Sequence, residues 1–160
     1  DGIRDIGVTG VQTCALPIYL HPYDLNLLKK SASELISLKK SGRMIYVSRL
    51  NSRRSNLPES KLEKELGKFG FEIVYPENMK LADQIKLFSE AKIVVGIHGA
   101  GLLHTIWGKK TKLIELMPTQ RINRCFEWST KLAGGQYFRI DYKPFEKNLD
   151  SIFHQIYELI

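Results

Sequence analysis

A chain of 160 residues has room for one ordinary domain and its single core. Its 24 lysines and arginines against 17 aspartates and glutamates leave a formal charge of +7, which suits an anionic partner without choosing among phosphate ligands, nucleic acid and acidic membrane surfaces. Two cysteines and no apolar run of about eighteen residues exclude a disulfide-dense scaffold and give no membrane-spanning pattern.

Residues 1–18 (DGIRDIGVTGVQTCALPI) resemble the in-frame translation of a sequencing-library adapter, with Ile6-Gly7 where a variable index would fall. Such a segment is left out of fold reasoning. Asp1, Arg4 and Asp5 leave with it, which raises the basic excess by one, and Cys14 leaves too. The reading therefore starts near Tyr19 and expects an upstream N-terminal domain to be missing. Cys125 remains as one thiol in an apolar helical stretch, without metal-ligand spacing, and is expected to be buried and structural.

Residues 24–40 carry Leu25, Leu28, Ala32, Leu35 and Ile36 at three-four spacing, which predicts an amphipathic helix with Asp24 as N-cap and Ser41-Gly42 as its stop. Residues 44–47 predict a strand with Ser48 and Arg49 at its carboxyl end, and a polar loop over 50–58 holds Arg53 and Arg54. A helix over 59–69, with Leu62, Leu66 and Phe69 on one face, closes at Gly70; a strand follows over 71–75 and ends at Pro76. Residues 81–91 predict a third helix with Leu81, Ile85 and Phe88 inward. Ile93-Val94-Val95 is a short β-branched run that breaks into Gly96-Ile97-His98-Gly99-Ala100-Gly101 and resumes as an apolar helix through Leu102, Leu103, Ile106 and Trp107. Strands over 113–116 and 137–142 and helices over 122–132 and 145–160 complete the chain, the last with Leu149, Ile152, Phe153, Ile156 and Leu159 inward.

Strands alternating with helices predict an α/β fold: a Rossmann-like parallel sheet with helices on both faces. Right-handed crossovers give the order 2-1-3-4-5, numbered from the strand at Met44. The switch point then lies between the strand ending at Ser48-Arg49 and the strand ending at His98, where open α/β sheets bind ligands.

The chemistry expected there is anion binding. A strand, a glycine turn and a helix start aim backbone N–H groups and a positive dipole end at a ligand. Arg49, with Arg53 and Arg54 on the same loop, supplies guanidinium groups beside Gly99, Ala100 and Gly101; His98 adds a side-chain donor. Glu115, a charge inside an apolar strand, either accepts from two ribose hydroxyls or marks an edge or solvent-facing position. Gln84 reaches the ligand or decorates its helix, and His104 and His154 read as structural or exposed. No D-x-D triplet offers a carboxylate pair to a divalent metal, and no Ser-His-Asp or Cys-His constellation stands out. A phospho-receiver domain would need an acidic residue where Ser48-Arg49 stands, so that reading fails.

Tyr46-Val-Ser-Arg49, the Arg53-Arg54 loop followed by Glu59, Gly70-Phe71, Gln84 with Phe88, Ala91, the block from Val95 through His98-Gly-Ala-Gly101 to Leu102, and Ile114-Glu-Leu-Met-Pro118 together resemble glycosyltransferase family 61, which includes capsular-polysaccharide enzymes and N-acetylglucosaminyl- and xylosyltransferases. The resemblance implies a two-domain GT-B enzyme, inverting and metal-independent, with no cofactor. Its donor would be a nucleotide-sugar, usually UDP-linked, and its acceptor a glycan or protein hydroxyl. Residues 19–160 would be the C-terminal nucleotide-binding half, inactive alone, with the missing N-terminal domain as partner in cis. Carried over, Ser48, Arg49, Arg53 and Arg54 face the diphosphate, His98, Gly99, Ala100 and Gly101 line the sugar-diphosphate, and Glu115 sits near the ribose. The catalytic base is not identified and is expected on the missing half, with His98 as the candidate here. Pro58 stands where Asn is usual and His104 where Asn is frequent. The location implied is the cytoplasm or inner membrane face in a bacterium, or the secretory lumen in a eukaryote. The competing expectation is a non-catalytic nucleotide-binding or interaction module of the same fold; a nucleic-acid-binding role is third and is not expected.

Overall fold

The computed structural model describes residues 20–35, 42–50, 57–119, 121 and 123–160, with the side chains of 33–35 aside. The first eighteen residues and Arg53 and Arg54 lie outside the described residues. The elements in order are α1 (Pro22–Leu35), β1 (Arg43–Val47), α2 (Glu59–Lys68), β2 (Glu72–Val74), a 3-10 turn (Pro76–Asn78), α3 (Leu81–Ser89), β3 (Ala91–Ile97), a 3-10 helix (Ala100–Trp107), β4 (Lys112–Pro118), α4 (Cys125–Leu132), β5 (Gln136–Tyr142) and α5 (Asp150–Glu158). The five strands form one parallel sheet in the order β2-β1-β3-β4-β5, as the crossover rule predicts.

Both faces of the sheet are covered. Leu62 and Leu66 of α2 and Ile152, Phe153 and Ile156 of α5 pack on Tyr46, Val95 and Ile114. On the other face Leu87 and Phe88 of α3, Leu102 of the 3-10 helix and Phe126 of α4 cover Ile45, Val47, Val94 and Leu113. Burial on both faces explains why the central strands read as unbroken apolar runs. No described helix is long and apolar enough to cross a membrane.

Several boundaries move for local reasons. α1 begins at Pro22, where a missing N–H is harmless, and His21 Nδ1 accepts from the Tyr23 amide at 3.2 Å, so Asp24 lies inside the first turn. Leu25 and Ala32 are buried, but Leu28 is exposed. α2 ends as predicted at Gly70, whose φ of +85° is the left-handed conformation glycine adopts without strain. There the Phe71 amide bonds the Leu66 carbonyl at 3.1 Å and the Gly70 amide the Gly67 carbonyl at 3.0 Å, closing the last turn. Phe69 has already left the helix; it is 51% exposed and stacks on Tyr157 at 3.8 Å rather than entering the core. Leu81, the first residue of α3, is 61% exposed. α4 starts at Cys125 because Asn123 Oδ1 accepts the Cys125 amide at 2.9 Å; the thiol at that first position is half-buried, not enclosed. α5 starts at Asp150, since Phe145 has a φ of +63° and points outward.

The largest departure is the segment after the glycine turn, which is 3-10 rather than α-helical over all eight residues. Its three-residue period eclipses side chains i and i+3. The Thr105 hydroxyl donates to the Leu102 carbonyl at 2.8 Å, and Trp107 Nε1 donates to His104 Nδ1 at 3.2 Å.

On α4 the carboxylate of Glu127 accepts from Arg124 and from Lys131, both at 2.7 Å, which holds its pKa at about 2 against an ordinary 4.5. A depressed folded-state pKa stabilises fully above the unfolded value and is lost as pH falls toward the folded one. Glu127→Gln is therefore expected to cost up to about 1 kcal/mol at neutral pH, the scale of solvent-facing pairs. Urea titrations at falling pH should show that difference shrinking from pH 4.5 to about 2; a constant difference would refute the ion-pair origin.

Candidate functional site

The carboxyl ends of β1 and β3 open onto a crevice of about 480 Å³, within the range of small-ligand sites. Its walls bring together the two loops the sequence singled out: Ser48 and Arg49 after β1, and Gly99, Ala100 and Gly101 after β3. Pro76 and Glu77 from the 3-10 turn, Gln84 from α3 and His104 from the 3-10 helix complete it.

Small residues are required here by contact. A Cβ at Gly99 would lie 3.0 Å from Arg49 Nη1 and 3.1 Å from its Cζ, because the guanidinium lies against the glycine. A Cβ at Gly101 would lie 3.0 Å from Val47 Cγ1. Arg49 Nη1 also donates to the His98 carbonyl, which ties the β1 loop to the β3 loop. Among the described residues the amides of Gly99, Ala100 and Gly101 take no backbone acceptor, while the Leu102 amide bonds back to the Gly99 carbonyl at 3.0 Å. Three open amides at a helix start beside a guanidinium make an anion cradle.

Ser48 is buried, and its hydroxyl is committed inward: it donates to Glu63 Oε1 at 2.6 Å and accepts the Leu50 amide at 3.0 Å. Tyr75 donates to the same Glu63 oxygen at 2.7 Å, and the Tyr46 hydroxyl donates to the buried Glu59 at 2.5 Å. Glu59 and Glu63, one turn apart on α2, thus hold Tyr46 of β1 and Ser48 at the start of the loop.

His98 and Glu115 are brought together, but not as crevice walls. The His98 ring is buried; its Nδ1 lies 2.5 Å from Glu115 Oε1, and Phe126 stands 5.2 Å away on its other side. Glu115 is 0% exposed, and its Oε2 accepts from the Tyr137 hydroxyl at 2.7 Å. The edge or solvent-facing position gives way to a buried acceptor on an inner strand, with each oxygen bonded within the protein. Register explains the arrangement: Glu115 stands opposite Gly96, which has no side chain, and His98 follows on the same face two residues later.

Gln84 is fixed. Its Nε2 donates to the Pro76 carbonyl at 2.8 Å and the Met79 carbonyl at 2.9 Å, which assigns the amide and leaves Oε1 as the remaining acceptor. His104 is the crevice residue the sequence reading missed. Because Nδ1 accepts from Trp107, its neutral ring carries the proton on Nε2, and burial holds its pKa below the ordinary histidine value. Its sequence signals were its place where the resembled family frequently has Asn and the three-residue spacing from Gly101, the latter legible once the helix is known to be 3-10. His154 is exposed on α5, 3.3 Å from Glu158.

The crevice thus presents a guanidinium, three open amides and an imidazole N–H as donors, with Gln84 Oε1 and the Glu77 carboxylate as acceptors. Comparison with known proteins gives the same direction. No curated protein matches the chain. The family model described as Glycosyltransferase 61 matches residues 11–118, two thirds of the chain, from within the adapter-like segment to the last residue of β4. Arg49, the glycine turn and Glu115 all fall inside that match, and on this ground the chain belongs to glycosyltransferase family 61.

Proposed function

We propose that residues 19–160 are the donor-binding half of an inverting, metal-independent glycosyltransferase, and that the crevice between β1 and β3 holds the diphosphate of a UDP-linked sugar. The observation that carries this is the convergence, at the sheet's switch point, of the Arg49 guanidinium with the three open amides of Gly99, Ala100 and Gly101. In an inverting transfer the acceptor hydroxyl, its proton taken by a base on the upstream domain, attacks the anomeric carbon as the bond to the diphosphate breaks. The leaving group takes away the electron pair and its negative charge, and donors fixed in advance stabilise it. Arg49 and the amides supply that stabilisation, and Arg53 and Arg54, four and five positions further on, are assigned to the same diphosphate. The acceptor is a glycan or protein hydroxyl, and an upstream domain in cis carries it.

Calorimetric titration of the chain with UDP, GDP and CMP tests this reading. Saturable binding is expected for UDP, weaker binding for GDP and CMP, and no sugar transfer without the upstream domain. A folded chain that ignores all three nucleotides would move the weight to a non-catalytic module of the same fold. Transferase activity from residues 19–160 alone would refute the division of labour between the halves.

A further inference from the structure

The Tyr137–Glu115–His98 chain is a buried polar feature of the sheet that the diphosphate crevice does not use. It crosses three strands, β5, β4 and β3, and ends beside the crevice. His98 is pinned twice: its ring through Nδ1 to Glu115, and its carbonyl by Arg49. The direction of each hydrogen bond can be assigned. Burial and the neighbouring carboxylate both push the Tyr137 phenol upward, so it stays protonated and donates to Oε2. Arg139 stands opposite Glu115 in the β4–β5 register, on the same face, with its guanidinium paired to Asp141 at 2.6 Å. Oε1 then accepts as well, and the ring proton of a neutral His98 sits on Nδ1.

The other ring nitrogen is left open. Among the described residues no buried side-chain nitrogen or oxygen lacks a partner, and the His98 ring bonds only through Nδ1. Nε2 is therefore not fully sealed in an otherwise buried ring, and His98 directly precedes Gly99 of the crevice wall at the carboxyl end of β3. In this tautomer Nε2 is a lone pair. Toward a phosphate oxygen it would be repulsive; toward a hydroxyl it is an acceptor.

We propose that Tyr137 and Glu115 are positioning residues that hold His98 with its proton on Nδ1, so that Nε2 accepts a sugar hydroxyl of the nucleotide-sugar bound in the adjoining crevice. This rests on the nucleotide-sugar reading above. It narrows His98's expected place along the sugar-diphosphate to the sugar, gives Glu115 an orienting role in place of a ribose contact, and adds Tyr137 to the site.

Glu115→Gln gives the sharpest test, because it keeps the shape and reverses the bond. To go on accepting from Tyr137, the glutamine turns its oxygen there and its NH₂ toward His98. Nδ1 must then accept, and the proton moves to Nε2. Long-range proton–nitrogen correlation spectra of the histidine-labelled chain at neutral pH read the tautomer directly, with His98→Gln to identify the signal. The wild type is expected to show Nδ1–H and Glu115→Gln the inverted Nε2–H, while Tyr137→Phe, in which the carboxylate still only accepts, keeps Nδ1–H. A wild-type ring protonated on Nε2, or an unchanged tautomer in Glu115→Gln, would overturn the relay.

Calorimetry then reads the ligand. Glu115→Gln is expected to bind UDP-glucose roughly two- to tenfold more weakly, the worth of one hydrogen bond, with affinity for inorganic pyrophosphate unchanged. Equal weakening of both probes would return His98 to the phosphate, and no change in either would reduce the relay to a structural one; each refutes the proposal. A wild type that binds neither probe defeats the nucleotide-sugar reading, while the spectra still decide the tautomer.

Discussion

Glu115→Ala is expected to lower folding stability by roughly 2–5 kcal/mol, the summed cost of two donors left without an acceptor and of a buried cavity. Three losses combine. The Tyr137 hydroxyl and His98 Nδ1, at 2.7 and 2.5 Å from the carboxylate, lose their acceptors, and a void opens where Glu115 was 0% exposed. A carboxylate that merely met ligand from a strand end would be removed at little cost to the unliganded fold. Denaturant unfolding distinguishes the two, provided the slope is unchanged so that the midpoint reports stability. A loss under about 1 kcal/mol would contradict the buried arrangement.

Arg49→Ala is expected to weaken UDP binding by about ten- to a hundredfold, since hydrogen bonds to a charged group contribute about 1.5–3 kcal/mol. The fold should survive, because Arg49 lies on the loop after β1 and is half-buried. Arg49→Lys is expected to recover little of the loss. The flat guanidinium lies against Gly99 while donating to the His98 carbonyl, whereas an ammonium keeps the charge without the planar fork. Calorimetry with circular dichroism as the folding control reads both variants. Undiminished affinity in Arg49→Ala would place the diphosphate away from the β1–β3 crevice.

The elements and their order were written in local chemistry. Ile93-Val94-Val95 and Leu113-Ile114 are β-branched or apolar runs between glycine, proline and polar breaks, and Leu62 and Leu66 repeat at helical spacing. Alternation of strand and helix, with one allowed crossover hand, then left the 2-1-3-4-5 order and its switch point. The convergence of Ser48-Arg49 with Gly99–Gly101 followed from that order, since it places their two strand ends side by side.

Side-chain direction at the ends of elements was not written there. Phe69 and Leu81 fit an apolar stripe, yet each sits on the terminal residue of its stripe, where the helix no longer faces the sheet and burial is lost. His104 faces the crevice because Ala100–Trp107 winds with three residues per turn, a pitch that apolar spacing does not distinguish from an α-helix over eight residues.

The sequence by itself determined the parallel α/β sheet, the strand order, the crevice and the basic, glycine-bearing character of its walls, because propensity, punctuation and handedness act over short stretches of chain. Only the tertiary structure decided what the polar residues do. Ser48 turns to Glu63 on the neighbouring helix, and Glu115 is joined to His98 and Tyr137 because the β3–β4 and β4–β5 registers set those side chains within bonding distance around a fully buried carboxylate. A buried carboxylate must find donors wherever the register puts them, and registers between strands far apart in the chain are fixed by packing.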